Sequence, residues 1–156
     1  MHFSVLFAAL PLLTLTQAAL LPRQSEADQW LEAHNSVRAQ HNAQPLTWNN
    51  QVAAAAQNWA NRCTMQHSGG QVGSYGENLA WGTGNFPIAS AVKLWADEVK
   101  DYDPNNPQYS HFTQVVWKST TELGCATADC SGTTYHVCEY NPPGNVIGQF
   151  PENVEV

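Results

Sequence analysis

Positive charge is scarce in this sequence. Its 156 residues include six Lys and Arg against thirteen Asp and Glu, which gives a formal charge of −7 at pH 7. Nucleic acids and anionic bilayers are bound by clustered Lys and Arg, so we expect neither as a partner. Charged residues make up only 12% of the chain and hydrophobic residues 43%. That composition is typical of a globular chain rather than a disordered one.

Long apolar runs are also absent, except at the N-terminus. Residues 3–15 are mostly apolar, too few to cross a bilayer, and small residues follow them as at a cleavage site. We expect a signal peptide over 1–18, a short segment over 19–25 and one domain over 26–156. Since no later segment approaches about 20 consecutive apolar residues, we expect a secreted, extracellular protein with no integral membrane segment.

Cysteine is limited to four residues, none in a CxxC or zinc-ribbon spacing: Cys63, Cys125, Cys130 and Cys138. In an oxidising compartment four cysteines are expected to form two disulfides, and the sequence allows three pairings. If 123–128 and 133–140 form a hairpin, Cys125 faces Cys138 and leaves Cys63 for Cys130.

The signatures of common enzyme classes are missing as well. The chain has no Gly-rich phosphate loop, no H-E-x-x-H zinc motif and no G-x-S-x-G nucleophile elbow. A cysteine nucleophile is excluded if all four thiols are oxidised. These absences remove the most common nucleotide-binding and hydrolase interpretations.

Apolar residues recur at helical spacing in three places. Ser25-x-x-Asp28 resembles a capping box that opens a first helix over 26–42. An Asn pair at 49–50 can cap a second helix, and Pro87 suits the first turn of a third.

Strand-type residues are concentrated in the second half of the chain. Segments 112–117 and 133–140 are rich in aromatic and β-branched residues and are predicted to be strands. The Gly-rich segment 65–86 and the Asn/Pro-rich segment 103–107 are predicted to be loops. Helices followed by strands, without βαβ alternation, predict an α+β fold with an antiparallel sheet.

Two imidazoles and two carboxylates stand on segments that could converge, and they form a usable set for a divalent metal: His67, Glu77, Glu98 and His111. The imidazoles would be the ligands, and the carboxylates would orient them or hold a metal-bound water. The alternative is that Glu98, beside Asp97, belongs to a solvated helix face and that both histidines are surface or packing residues. Spacing alone leaves both interpretations open.

Four motifs in order along the chain resemble the CAP superfamily, which joins cysteine-rich secretory proteins, insect venom antigen 5 and the plant pathogenesis-related 1 proteins. They are His34-Asn35-x-x-Arg38, Gly76-Glu77-Asn78-Leu79-Ala80, SHFTQVVW at 110–117 and YHVCEYNPPGN at 135–145. Together they extend over about residues 28–150, and we expect neither a cysteine-rich hinge nor a C-terminal extension. In this the chain is similar to the short secreted members from fungi and plants.

The resemblance implies a three-layer α–β–α sandwich for the CAP (SCP) domain at 26–156, with a central antiparallel sheet stapled by disulfides. It also implies a large cleft in which the two His and two Glu described above hold a divalent metal, often zinc. Such a site loses its metal as the imidazoles become protonated, below about pH 6.

The resemblance further implies a lipid-binding function. Fungal relatives bind sterols through an aromatic loop just before the His111 motif, and fatty acids through a groove between helices. The matching loop here runs from Tyr102 to Tyr109, with Phe112 and Trp117 following. We expect a monomeric secreted protein that binds and exports sterols or related lipids. The alternatives are a defence or virulence protein acting through protein partners, and a metal-dependent hydrolase.

The sequence departs from the family pattern in two places. Glu139 stands where the family usually has a polar or basic residue such as Asn. Glu152 stands where plant relatives that release a C-terminal signalling peptide have Tyr. The second departure argues against release of such a peptide here.

Overall fold

A computed structural model describes residues 24–156. The predicted signal peptide over 1–18 and most of the 19–25 segment lie outside the described residues. No helix within this range has the length and apolarity needed to span a membrane. The elements in chain order are α1 (Glu26–Gln40), β1 (Thr47–Trp48), α2 (Asn50–Ala60), β2 (Gly76–Thr83), α3 (Ile88–Ala96), a 3₁₀ helix (Asp97–Asp101), α4 (His111–Val116), β3 (Glu122–Asp129), β4 (Thr133–Asn141) and α5 (Phe150–Asn153).

The first two helices begin at the residues that the sequence predicts, and the third begins at Ile88, one residue after the Pro87 that was predicted to lie in its first turn. Ser25 Oγ accepts the backbone N–H of Asp28 at 3.1 Å, and the Asp28 side chain accepts the backbone N–H of Ser25, which completes the capping box. Asn49 Oδ1 accepts two backbone N–H groups of the first turn of α2. Pro87 directly precedes α3, where its fixed φ favours helix entry.

The sheet has the strand order β1-β3-β4-β2. Strand β4 pairs antiparallel with both β3 and β2, whereas the short β1 pairs parallel with β3. Helix α2 packs on one face of the sheet, while α1, α3 and α4 cover the other. The chain therefore has the predicted α+β fold, a three-layer α–β–α sandwich whose central sheet is mainly antiparallel.

The layer formed by α2 lies very close to strand β3. A Cβ atom placed on Gly124 would collide with the backbone of Val52 and Ala53. Glycine at this position therefore allows the helix backbone to approach the strand. Ala56 and Trp59 of α2 then pack on the same face of the sheet, against residues of β2, β3 and β4.

The opposite layer contains the larger part of the core. The rings of Trp30 on α1 and Trp95 on α3 stack with their centroids 6.2 Å apart. Both side chains are at most 2% exposed, as are Phe112, Val115 and Trp117. Burial of such large aromatic and aliphatic side chains is the main stabilising contribution in a domain of this size.

The His34-Asn35-x-x-Arg38 motif has a structural role in this core. The fully buried Arg38 guanidinium donates from Nη1 to the carbonyl oxygens of Val115 and Trp117, at 2.8 and 2.9 Å, and from Nη2 to that of Thr120. It therefore satisfies buried backbone acceptors at the C-terminal end of α4, of which the Trp117 carbonyl also accepts the Thr120 N–H.

Two predictions of secondary structure were wrong. Segment 112–117, predicted to be a strand, lies mainly in α4 because Ser110 and Thr113 form a capping box that opens a helix. Segment 65–86, predicted to be a loop, contains β2, because pairing with the distant β4 stabilises a strand that local composition does not favour.

Two disulfides staple the domain. Cys125 and Cys138 lie directly opposite each other on β3 and β4, as the hairpin hypothesis requires. Cys63, just after α2, is joined to Cys130 in the turn between β3 and β4. All four thiols are thereby oxidised, so no cysteine among the described residues can act as a nucleophile or metal thiolate.

Candidate functional site

A cavity of about 860 Å³ lies where the start of β2 meets the start of α4. Its walls also include the 3₁₀ helix and the connection between that helix and α4. The lining residues are His67, Glu77, Asn78, Glu98, Asp101, Tyr102, Asp103, Asn106, Gln108, Tyr109, Ser110, His111 and Asn145. The structure thus brings all four sequence-predicted metal-site residues to one cavity.

His111 is held from two sides. Its Nδ1 lies 2.6 Å from Oε1 of Glu98, and the other oxygen of that carboxylate accepts the backbone N–H groups of His111 and Phe112. The imidazole also stacks on the ring of Trp95, with centroids 6.2 Å apart. Glu98 therefore faces inward as a hydrogen-bond acceptor, not outward as part of a solvated helix face.

His67 is held by Glu77 in the same way. Its Nδ1 lies 2.6 Å from Oε1 of Glu77, and the same carboxylate accepts the backbone N–H of Ser68. Glu77 is placed by β2, while His67 lies in the loop before it. The His67 side chain remains 62% exposed, so the imidazole is accessible to solvent.

The two His–Glu pairs leave the same ring atom available. Because an ionised carboxylate only accepts hydrogen bonds, we assign the Nδ1 proton to each histidine, which leaves Nε2 with a lone pair. No partner for either Nε2 is found within residues 24–156. A carboxylate that holds Nδ1 of a histidine is the usual outer support of an imidazole metal ligand.

Imidazole nitrogens supported by carboxylates are donor types that a divalent metal takes, but no three of these four residues bring ligand atoms within 4.8 Å of one another. The two Nε2 atoms would be the protein ligands, while Glu77 and Glu98 support the rings. Within residues 24–156 one set of three potential ligand atoms lies within 4.8 Å, namely His34 with Cys125 and Cys138. That set does not fit a metal, because both sulfurs are in a disulfide and both nitrogens of His34 are hydrogen-bonded.

Glu139, noted above as a departure from the family, lies directly behind this site. It is the cross-strand partner of Glu77 and is 1% exposed. Burial, together with the adjacent Glu77 carboxylate and its charge, raises the pKa of Glu139 to about 9. Glu139 therefore keeps its proton at neutral pH, while its neighbour Glu77 accepts N–H groups from His67 and Ser68.

Asn78 links the site to the core, a role that the sequence analysis missed. Its Nδ2 donates to the carbonyl oxygen of His111 and to the hydroxyl of Tyr140, both at 3.1 Å. That hydroxyl lies 2.8 Å from Nε2 of His34, whose pKa is lowered to about 4, mainly by burial. The only sequence signal was its place beside Glu77 in a family motif.

Of the four predicted lipid-binding residues, the structure places two in the cavity wall and two in the core. Tyr102 and Tyr109 line the cavity, and Tyr109 is 68% exposed. Phe112 and Trp117 are at most 1% exposed and lie in the core, outside the cavity walls. Phe112 packs against the ring of Tyr102, so it supports a wall residue from behind.

Several polar wall residues were also missed by the sequence analysis: Asp101, Asp103, Asn106, Gln108 and Asn145. Asn145 donates to the Ser110 carbonyl at 3.0 Å and accepts the Thr113 hydroxyl at 2.6 Å, which ties the segment after β4 to the start of α4. Loop residues that converge in this way carry no periodic signal, although Asn145 lies within the last family motif.

The chain belongs to the CAP family. The model of the cysteine-rich secretory protein family matches residues 31–140. Pathogenesis-related protein 1C from Nicotiana tabacum is 46% identical over 140 residues, 82% of each chain. Fruiting body protein SC7 from Schizophyllum commune is 42% identical over 158 residues, covering 86% of this chain and 74% of that protein.

Solved structures with the same fold include that of NaASP2 with Zn²⁺. It superposes with a TM-score of 0.68 at 26% identity and covers 80% of this chain and 84% of that one. Venom allergen-like protein 4 of Schistosoma mansoni also gives a TM-score of 0.68, at 27% identity, over 79% of this chain and 92% of that one. These similarities agree with the family assignment and with the layered fold.

Proposed function

We propose that this is a secreted, extracellular CAP protein that binds a sterol or a related lipid in the 860 Å³ cavity and carries it out of the cell. The observation that carries this proposal is the cavity itself, with Tyr102 and Tyr109 in its wall. Its volume lies within the range of about 300–1,000 Å³ that is usual for small-molecule sites. The protein acts as a monomer, with residues 1–18 as its signal peptide.

Burial of a largely apolar ligand in this cavity provides the free energy of binding. At about 25 cal/mol per Å² of apolar surface, burial of a sterol contributes on the order of several kcal/mol towards the about 8 kcal/mol that micromolar affinity requires. Tyr109 supplies an exposed aromatic ring at the wall. Tyr102 supplies a second aromatic ring, which packs against the buried ring of Phe112.

The proposal also includes a divalent metal, zinc being the natural candidate for two imidazole ligands. His67 and His111 would bind it through Nε2, and Glu77 and Glu98 would hold the rings. The structure of NaASP2 was solved with Zn²⁺, which supports the presence of a metal in this family. A bound metal would supply a polar, Lewis-acidic point in the cavity.

The test of the proposal is equilibrium binding of radiolabelled sterol to the purified mature protein. A variant with both Tyr102→Ala and Tyr109→Ala is compared with Leu94→Ala, which removes an exposed apolar residue outside the cavity. We expect saturable binding by the wild type and by Leu94→Ala, and binding at least tenfold weaker by the double variant. Absence of saturable binding by the wild type would refute the sterol proposal.

A second candidate is a defence-type protein that acts through protein partners. It is favoured by the similarity to pathogenesis-related protein 1C. Lipid binding separates the two candidates, because a protein that acts only through partners has no need to retain sterol in the cavity.

A further inference from the structure

The cavity walls carry charge of one sign. Among the residues that line the cavity are the carboxylates of Glu77, Glu98, Asp101 and Asp103, and none of the thirteen is Lys or Arg. The Glu carboxylates are hydrogen-bonded to imidazoles and backbone N–H groups. Asp103 accepts one backbone N–H, from Asn105, and Asp101 has no ion-pair partner within residues 24–156.

The basic residues of the described range are all placed elsewhere. Buried Arg38 donates to backbone carbonyls, and Arg62 lies over the Trp59 ring. Lys93 and Lys118 form ion pairs outside the cavity, with Asp97 and Glu155 respectively. Lys100 is exposed on the 3₁₀ helix and is not a wall residue.

The absence of Lys and Arg from the cavity wall determines which polar group of a bound lipid is favoured there. A carboxylate or sulfate moved from water into this cavity finds no Lys or Arg, and burial of an unpaired charge is costly. An uncharged hydroxyl, in contrast, finds exposed neutral hydrogen-bonding side chains in the wall, such as Asn106, Gln108 and Tyr109. A cationic group gains attraction from the carboxylates.

We propose that the cavity selects its lipid by charge. With no metal bound, it takes amphiphiles whose polar end is uncharged or cationic and rejects those with a carboxylate or sulfate, so neutral sterols then bind in preference to fatty acids. Asp101 and Asp103 are the specificity-determining residues because their charges are the least compensated in the wall. This inference rests on the proposed lipid-binding function and adds the class of lipid to it.

Three probes with one sterol skeleton test the selection rule: the sterol, its 3-sulfate and its 3-amine. Equilibrium binding is measured with a chelator present, so that only the charges of the chain itself act on the probe. We expect the sulfate to bind about tenfold or more weaker than the sterol, and the amine at least as tightly. The double variant Asp101→Asn, Asp103→Asn should reduce the sulfate-to-sterol ratio of Kd about threefold to tenfold.

A matched pair of lysine substitutions separates local charge from net charge. Asn106 lines the cavity, whereas Asn105, next to it in the same loop, does not. Asn106→Lys should improve sulfate binding several-fold relative to sterol binding, and Asn105→Lys should leave the ratio nearly unchanged. Thermal unfolding confirms that each variant is folded before its ratio is used.

The possible failures can be told apart. If the wild type binds the sterol but binds the sulfate equally well, charge selection is refuted while lipid binding stands. Charge selection is also refuted if Asn105→Lys changes the ratio as much as Asn106→Lys. If the wild type binds none of the probes, the proposed function itself is refuted, and the inference with it.

Discussion

Oε1 of Glu98 lies 2.6 Å from Nδ1 of His111, while Oε2 accepts the backbone N–H of the same residue at 2.8 Å. One carboxylate therefore fixes both the imidazole ring and the backbone at the start of α4. Glu77 makes the equivalent pair of contacts with the His67 ring and the Ser68 N–H. In each half of the candidate metal site, one carboxylate thus holds an imidazole ring and a backbone N–H, although the two halves lie on different elements of the fold.

Glu98→Gln is expected to weaken zinc binding about tenfold to a hundredfold. The amide has one acceptor oxygen in place of two and no charge, so it cannot hold Nδ1 and the α4 backbone equally well. Isothermal titration with zinc provides the measurement. Asp97→Asn is the control, because Asp97 is adjacent but pairs outward with Lys93. Equal losses in both variants would contradict the role assigned to Glu98.

His67→Gln and His111→Gln are each expected to remove most of the zinc affinity, and the double variant to lose little more. The reason is that two ligands on separate elements act as one site, so loss of either leaves a single imidazole. His41→Gln, at a histidine outside the cavity, should bind zinc as the wild type does. Additive losses from the two single variants would indicate two independent sites.

The free energy of unfolding of Glu139→Gln, relative to that of the wild type, is expected to increase as the pH rises. In the folded chain the pKa of Glu139 is raised from its ordinary 4.5 to about 9, so the stability contributed by its protonated form is complete below about 4.5 and is lost as the pH rises towards about 9. Each pH unit in that window costs up to about 1.4 kcal/mol. Glutamine has a similar shape and does not ionise.

Urea unfolding at about pH 5 and about pH 8, with a chelator present, measures this effect. The free energy of unfolding of Glu139→Gln relative to wild type should increase by about 1 kcal/mol or more between the two conditions. Glu152→Gln, at an exposed carboxylate, should show no such change. A constant difference for Glu139→Gln would show that Glu139 is ionised in the folded protein.

Arg38→Leu is expected to lower the free energy of unfolding by about 3 kcal/mol or more. The substitution leaves the carbonyl oxygens of Val115 and Thr120 buried without their donor, while that of Trp117 keeps only the Thr120 N–H. Arg62→Leu, at an exposed arginine, should stay within about 1 kcal/mol of the wild type. Comparable effects of the two substitutions would argue against the capping role of Arg38.

The parts of the fold that depend on local chemistry could be predicted from the sequence. The capping box at Ser25 and the cap at Asn49 each depend on a few adjacent residues, and both were predicted. The same rule, applied at Ser110, would have identified α4, but the aromatic and β-branched residues that follow favoured a strand. The capping box at Ser110 opens the helix, and α4 then packs in the core, which is not visible in a local window.

The candidate site could be predicted in its residue types but not in its supporting contacts. His67, Glu77, Glu98 and His111 were identified and do line one cavity. The pairing of Glu77 with Glu139 depends on the register of β2 against β4, which no local pattern specifies. The carboxylate pair behind the site was therefore found only in the structure.

The central claim is that the cavity holds the lipid, and photoaffinity labelling tests it most directly. A sterol carrying a photoreactive group is crosslinked to the mature protein, which is then reduced and digested with trypsin. Cleavage after Lys100 and Lys118 releases one peptide, 101–118, that contains both cavity tyrosines and His111. We expect the label to concentrate in this peptide and to be displaced by unlabelled sterol. Displaceable label on α2, in the tryptic peptide 39–62, would contradict it.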